Sequence, residues 1–145
     1  MHEYLIDSHN SVVKSSDKFY DLGDLTMIQH GNTLISALKK LVASRNGYQS
    51  IILGNHDRLK PVHYSEMFKK VRGSMRIDNL IFSHIPIHPS SIKRGCVNVH
   101  GHIHTQPVYL GPYINISVEA IDYTPVSLDE LKSQAKKLLR KLDNA

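Results

Sequence analysis

Apolar positions along this chain alternate between short continuous runs and helix-spaced stripes, a pattern that predicts α/β layering. Leu5, Ile6, Val12 and Val13 fall at helical offsets within residues 2–13. Ser15-Ser16-Asp17 then makes a turn before a short strand, Lys18-Phe19-Tyr20-Asp21-Leu22, which ends at Gly23-Asp24. From about 33 to 43, Leu34, Ile35, Leu38, Leu41 and Val42 form one stripe, and Asn46-Gly47 closes that helix. A buried strand at 50–53 runs straight into Gly54-Asn55-His56-Asp57. Residues 58–74 are less regular, with Pro61 and a short helix expected around 66–70.

The second half reads more as sheet. Met75-Arg76-Ile77 and the run 79–83 are candidates for paired strands; the latter ends at His84, and Pro86 and Pro89 bar further ladder bonding. Cys96-Val97-Asn98-Val99 repeats the arrangement before His100 and Gly101-His102-Ile103-His104. Residues 107–110 and 113–118 read as a closing hairpin turned at Gly111-Pro112. Ser127 and Glu130 form a capping box ahead of a last helix. Leu128, Leu131, Ala135, Leu138, Leu139 and Leu142 line one of its faces, opposite Lys132, Lys136, Lys137, Arg140 and Lys141. A basic face of this kind is usually solvated, with nucleic-acid contact the sharper alternative.

Composition narrows the class. A chain of 145 residues, 41% hydrophobic, is expected to be a single domain, 1–145, burying roughly two-thirds of its unfolded surface. Cys96 is the sole cysteine, so no intramolecular disulfide forms. No apolar stretch approaches the ~20 residues of a membrane span or has a signal-peptide layout, so a reducing cytoplasm is expected. A net charge of +5 with ten histidines favours anionic ligands, although surface lysines explain the charge as well.

Candidate chemistry collects at strand ends. Asp24, Asn55, His84, His102 and His104 each follow a strand-like run. Carboxylate, amide and imidazole together suit Mn²⁺, Fe²⁺ or Zn²⁺, with bonds of about 2.0–2.2 Å for zinc. Any one of the five alone would more often be a hydrogen-bonded polar residue than a ligand. Together they would share the carboxyl edge of a parallel sheet, where α/β proteins bind ligands.

The ordered set Gly23-Asp24, Gly54-Asn55-His56-Asp57, a lone strand-end His84 and Gly101-His102-Ile103-His104 resembles the calcineurin-like metallophosphoesterases over nearly all of the chain. It looks closest to the small bacterial and phage members. These often carry a stretch like Asn115-Ile116-Ser117-Val118-Glu119 with a following Tyr-x-Pro, here Tyr123-Thr124-Pro125, and a run like Asn10-Ser11-Val12-Val13 before the Gly-Asp strand. The resemblance implies a layered α/β sandwich of mixed sheets with flanking helices. It implies that Asp24 bridges two metals, that Asn55, His84 and His102 complete the second metal's shell, and that His104 binds the first. His56 would donate a proton to the leaving oxygen or stabilise phosphoryl charge, with Asp57 orienting its ring and Asn55 also touching substrate. Arg58 would hold a phosphate or be an exposed structural arginine. The expected cofactor is Mn²⁺, with Fe²⁺, Zn²⁺ or Ni²⁺ as alternatives, one or two ions per chain. A pair about 3.5–4 Å apart would activate water for attack on phosphorus. The implied function is a metal-dependent phosphoesterase, a hydrolase of phosphomonoesters or phosphodiesters, nucleotides and nucleic acid included, with no membrane partner. The alternative is a catalytically impaired relative that binds one metal or a partner protein.

One part of the family pattern departs. Relatives begin with a strand ending in Asp-x-His, and Asp7-Ser8-His9 matches those letters. A parallel strand-to-strand connection needs about a dozen residues or more, whereas only residues 10–17 separate His9 from the next strand. Asp7 and His9 are therefore read as surface helix residues and the fold as N-terminally shortened. The first metal site would then be short of ligands, and an exposed sheet edge would invite self-association. His88 and His100 are expected in loops near the site, where they could touch substrate, and His2, His30 and His63 at the surface.

Overall fold

A computed structural model describes residues 2–28, 31–107 and 110–145. They gather into two compact units, one ending at Gly73 and the other beginning at Ser74. His30 lies outside the described residues, as does the side chain of His2.

The first unit runs α1 (His2–Val12), β1 (Lys18–Asp21), α2 (Gly31–Ser44), β2 (Tyr48–Ile52), α3 (Pro61–Met67) and β3 (Val71–Arg72). Its three strands form a parallel sheet in the order β1-β2-β3, with Asp21 opposite Ile51 and Ile52 opposite Arg72. Ile51 and Ile52 are both 1% exposed, as a central parallel strand covered on both faces requires. They read as a continuous apolar run for that reason. Leu34 and Leu38 of α2 pack with Ile51, Tyr64 and Phe68 into the core. The short helix starts earlier than its expected place near 66–70, because Pro61 at its first turn presets the backbone and lacks only an N–H that would be unbonded there. The two-residue strand β3 was not anticipated.

Helix α1 stands where its apolar spacing puts it, and Asp7 is exposed on it. His9 corrects the surface reading. It is 3% exposed, its Nε2 lies 2.9 Å from the Asn46 carbonyl, and its ring meets Phe19 edge-on at 4.4 Å. Asn10 completes the docking: its Nδ2 donates to the Ser44 carbonyl and its Oδ1 accepts from the Asn46 N–H. Beneath this helix, Arg45 makes a forked pair with Asp21 at 2.7 and 3.1 Å, shares Gln49 Oε1, and lies over the Phe19 ring. His63 is half-buried in α3 rather than on the surface.

The second unit runs β4 (Ser74–Ile77), β5 (Leu80–Ser83), β6 (Val97–His100), β7 (Tyr113–Asn115) and α4 (Leu128–Asp143), with a single 3-10 turn at Pro89–Ser91. Its mixed sheet has the order β4-β5-β6-β7; β4 and β5 are the pair expected and run antiparallel, turned at Asp78 with φ of 52°, and the remaining pairings are parallel. Val97, Asn98, Val99 and His100 of β6 are all 0% exposed. The buried Asn98 amide is satisfied: Nδ2 donates to the Ile81 carbonyl and Ser83 Oγ, and Oδ1 accepts from the Ile87 N–H.

Three expectations are corrected in this unit. The closing hairpin is absent among the described residues: β7 pairs with β6 in parallel and ends at Asn115, and Pro107 and Leu110 stand outside any strand. Val108 and Tyr109 lie outside the described residues. His100 is the buried last residue of β6, not a loop residue. In α4, Leu131 and Ala135 are buried, but Leu142 is 40% exposed, so the apolar face stops short of the last turn. Ser127 caps α4 as expected, its Oγ accepting from the Glu130 N–H at 3.2 Å. No helix among the described residues is long and apolar enough to cross a membrane. The chain is thus α/β, with one parallel and one mixed sheet and helices alongside the strands.

Candidate functional site

In the first unit, β1 and β2 are parallel neighbours and release their following loops at the same end of the sheet. These loops, Gly23-Asp24 and Gly54-Asn55-His56-Asp57, are tied to each other. Gly23 has φ of 89°, and a Cβ there would stand 2.7 Å from the Ile52 carbonyl oxygen and 2.8 Å from the Gly54 Cα. A Cβ on Gly54 would in turn run into the Asp24 carboxylate, 2.8 Å from its Cγ. Only glycine fits at either point.

Polar bonds complete this contact. The Asp24 and Gly54 N–H groups both donate to Asp57 Oδ2 at 2.8 Å, and the His56 N–H donates to Asp24 Oδ1 at 2.8 Å. Burial pushes the Asp57 carboxyl above its ordinary range, against the pull of the Gly54 and Asp24 amides. The carboxylate expected to orient the His56 ring thus holds backbone instead. Asp24 itself sits at φ of 56°, a conformation uncommon outside glycine and fixed here by those bonds. Asn55 and Arg58 are exposed and His56 is half-buried.

In the second unit, β5 and β6 are parallel neighbours and end at Ser83 and His100 in register. His84 follows the first, Gly101-His102-Ile103-His104 the second, and the Gly101 N–H donates to the His84 carbonyl at 3.0 Å. This brings the two imidazoles together: His84 Nε2 and His102 Nδ1 are 3.1 Å apart, with the ring planes at 67°. His84 is buried and His102 open to solvent. His102 and His104 both have positive φ, 67° and 50°, so the loop holds its side chains in a strained backbone.

The 3.1 Å separation tests the pair as metal ligands. Two nitrogens bonded to one ion at about 2.0–2.1 Å, at angles between octahedral and tetrahedral, stand roughly 2.8–3.4 Å apart. The separation falls in that range, which is also the range of an N–H···N hydrogen bond between the two rings. The two imidazoles of His84 and His102 are donors of the kind divalent ions take.

His104 is placed differently. Its Nδ1 meets Glu119 Oε1 at 2.8 Å, and its carbonyl accepts from Asn115 Nδ2 at 2.7 Å. The hydrogen bond from His104 holds the Glu119 carboxyl below its ordinary range, outweighing its burial. Beside His104 runs an open cleft of about 600 Å³ whose lining includes Gln106, Asn115, Gln134 and Leu138. Sequence reasoning gave Glu119 no role. No spacing signal pointed to it, because β7 ends at Asn115 and Glu119 lies in the turn beyond. His88 is exposed and spends its Nδ1 on Ser90, capping the 3-10 turn. Burial lowers the pKa of His100, whose Nδ1 lies 3.0 Å from the Gly101 carbonyl.

No protein-family model matches the chain. It is 32% identical over 136 residues to the uncharacterized protein MJ1445 of Methanocaldococcus jannaschii, a match that covers 89% of this chain and 72% of that protein. Among solved structures it is similar to AQ665, a protein of unknown function from Aquifex aeolicus, with a TM-score of 0.71. That match covers 92% of this chain and 84% of the other at 24% identity, a likeness of fold.

Proposed function

The chain belongs to the same family as the uncharacterized Methanocaldococcus jannaschii protein, and from its own side chains we propose that it is a metal-dependent phosphoesterase of the calcineurin-like metallophosphoesterase type. The observation that carries this reading is the His84–His102 pair, held at 3.1 Å by a strained loop at the ends of two parallel strands. The resemblance to that family adds Asp24 and Asn55 as oxygen donors and His104 as a further nitrogen. A bound divalent ion, Mn²⁺ on this reading, supplies Lewis-acid charge and lowers the pKa of water.

The chain's own groups do the rest. The bond from the His56 N–H to Asp24 Oδ1 fixes the start of the His56 side chain against that carboxylate, and the imidazole gives a proton to the departing ester oxygen. Arg58 is exposed and pairs with a phosphate oxygen through its fork of N–H donors. Asp57 keeps both glycine turns in place, so that His56 and Asp24 stay in register.

A second reading, a catalytically impaired relative that holds one ion, is favoured by one specific observation. Asp7 and His9 lie in helix α1, with His9 turned onto Asn46, so neither serves a first-metal shell, which is left with Asp24 and His104 among the described candidates. One experiment separates the readings: Mn²⁺ per chain after reconstitution, together with cleavage of an aryl phosphodiester and an aryl phosphomonoester. The phosphoesterase reading expects Mn²⁺-stimulated cleavage, abolished in His84→Ala and lowered about 10²-fold or more in His56→Ala. Metal without cleavage would leave the impaired relative standing. A wild-type chain that retains no divalent ion would remove both.

A further inference from the structure

His104 joins an open ring to a fixed one: 72% of its side chain is exposed, yet Nδ1 is held 2.8 Å from Glu119 Oε1. An ionised carboxylate can only accept hydrogen bonds. The hydrogen in that contact therefore belongs to Nδ1, and the lone pair of the neutral ring is at Nε2. A solvated neutral histidine favours the opposite tautomer, with the hydrogen on Nε2. Glu119 thus reverses the ordinary preference.

The backbone of His104 is fixed from the same segment. Asn115 Nδ2 donates to the His104 carbonyl at 2.7 Å, and Asn115 Oδ1 accepts from the N–H and Oγ of Ser117 at 2.9 and 2.8 Å. Those partners leave the Asn115 amide a single sensible orientation. Asn115 in turn is the last residue of β7, in register with His100 of β6. Asn115, Ser117 and Glu119 thus form a bracket in which strand β7 fixes one end and the other aims an imidazole. The positive φ of His104 shows why a bracket is needed, because the residue would otherwise relax out of that conformation.

We propose that Glu119 is a positioning residue for His104, holding it in the Nδ1–H tautomer so that Nε2 is the nitrogen offered to a divalent ion. The ligand role rests on the function proposed above; the tautomer does not. Metal-binding histidines commonly donate their second ring N–H to a carboxylate, and loss of such a partner lowers metal affinity about 10–100-fold.

The test is nitrogen-15 NMR of the histidine side chains in the metal-free protein near pH 8.5, where an ordinary imidazole is neutral, with His104 assigned by His104→Gln. Wild type is expected to show the Nδ1–H form. Glu119→Gln, whose amide can either donate or accept, is expected to show a mixture, with the remaining backbone spectrum unchanged to certify folding. Calorimetry should then give Mn²⁺ binding about 10–100-fold weaker in Glu119→Gln. A wild-type His104 that is mixed or Nε2–H, a tautomer untouched by Glu119→Gln, or measurable Mn²⁺ binding of equal affinity in the two proteins would each overturn the proposal. A wild type that shows the Nδ1–H form and binds no Mn²⁺ would uphold the bracket and remove the phosphoesterase reading.

Discussion

Gly23 passes so close to Gly54 that a Cβ on the first would lie 2.8 Å from the Cα of the second. Because the obstruction is backbone, no rotamer change relieves it. At Gly54 the obstructing group is the Asp24 carboxylate, which also accepts the His56 N–H. Gly54→Ala is therefore expected to displace a candidate ligand and a candidate acid together. Overpacking of this kind costs about 1–3 kcal/mol. Urea denaturation should show a loss in that range, and Mn²⁺ retention should fall with it. Unchanged metal retention in a destabilised variant would show that Asp24 is not needed for the ion.

Asp57 offers a cleaner separation of charge from hydrogen bonding. Its Oδ2 accepts from the Gly54 and Asp24 amides, and burial outweighs both in setting its pKa. A neutral acceptor should therefore serve nearly as well. Asp57→Asn is expected to lose less stability than Asp57→Ala, since its amide oxygen can take the same two bonds. Asp57→Ala leaves buried donors unmatched, at about 1–3 kcal/mol for a group so stranded. Equal losses in the two variants, measured by denaturant midpoint, would mean that the charge itself holds the loops.

The same residue shows where the sequence was legible. Strand tips could be read because central parallel strands are continuous apolar runs, as at Ile51-Ile52 and Val97 to Val99, and because each ends in a glycine-containing turn. Adjacency suggested that Asp57 serves the neighbouring His56, but its carboxylate reaches the amide of Asp24, 33 residues away. His9 fails in the same manner, since its acceptor lies 37 residues on, at Asn46. Local periodicity carries no record of such partners. At β7, an apolar run on either side of Gly111-Pro112 reads as a hairpin, whereas the register with β6 that decides its pairing is tertiary. Candidate ligands were found because they sit at strand ends; Glu119 was not given a role, because its partner is set by a turn that the spacing does not specify.

His9 gives the pH dependence a definite sign. Burial lowers its pKa first, with the Arg45 charge acting the same way; the bond to the Asn46 carbonyl and the Asp21 carboxylate oppose them and are outweighed. In the unfolded chain the imidazole titrates near its ordinary value of 6.5. The folded state therefore holds the proton less tightly than the unfolded state does, and the unfolded state gains protons first as the solution is acidified. The contribution of His9 to stability is intact above that ordinary value and is lost as pH falls from there through the lower folded pKa. One proton changes stability by at most about 1.4 kcal/mol per pH unit. His9→Gln keeps an N–H for the Asn46 carbonyl and cannot titrate, so the difference between the two proteins isolates this histidine from the others. Between about pH 7.5 and pH 5, values that bracket the ordinary histidine pKa, urea midpoints of wild type should fall further than those of His9→Gln. Parallel curves would show that His9 is no more buried in solution than an ordinary surface histidine, and α1 would lose its anchor on the α2–β2 turn.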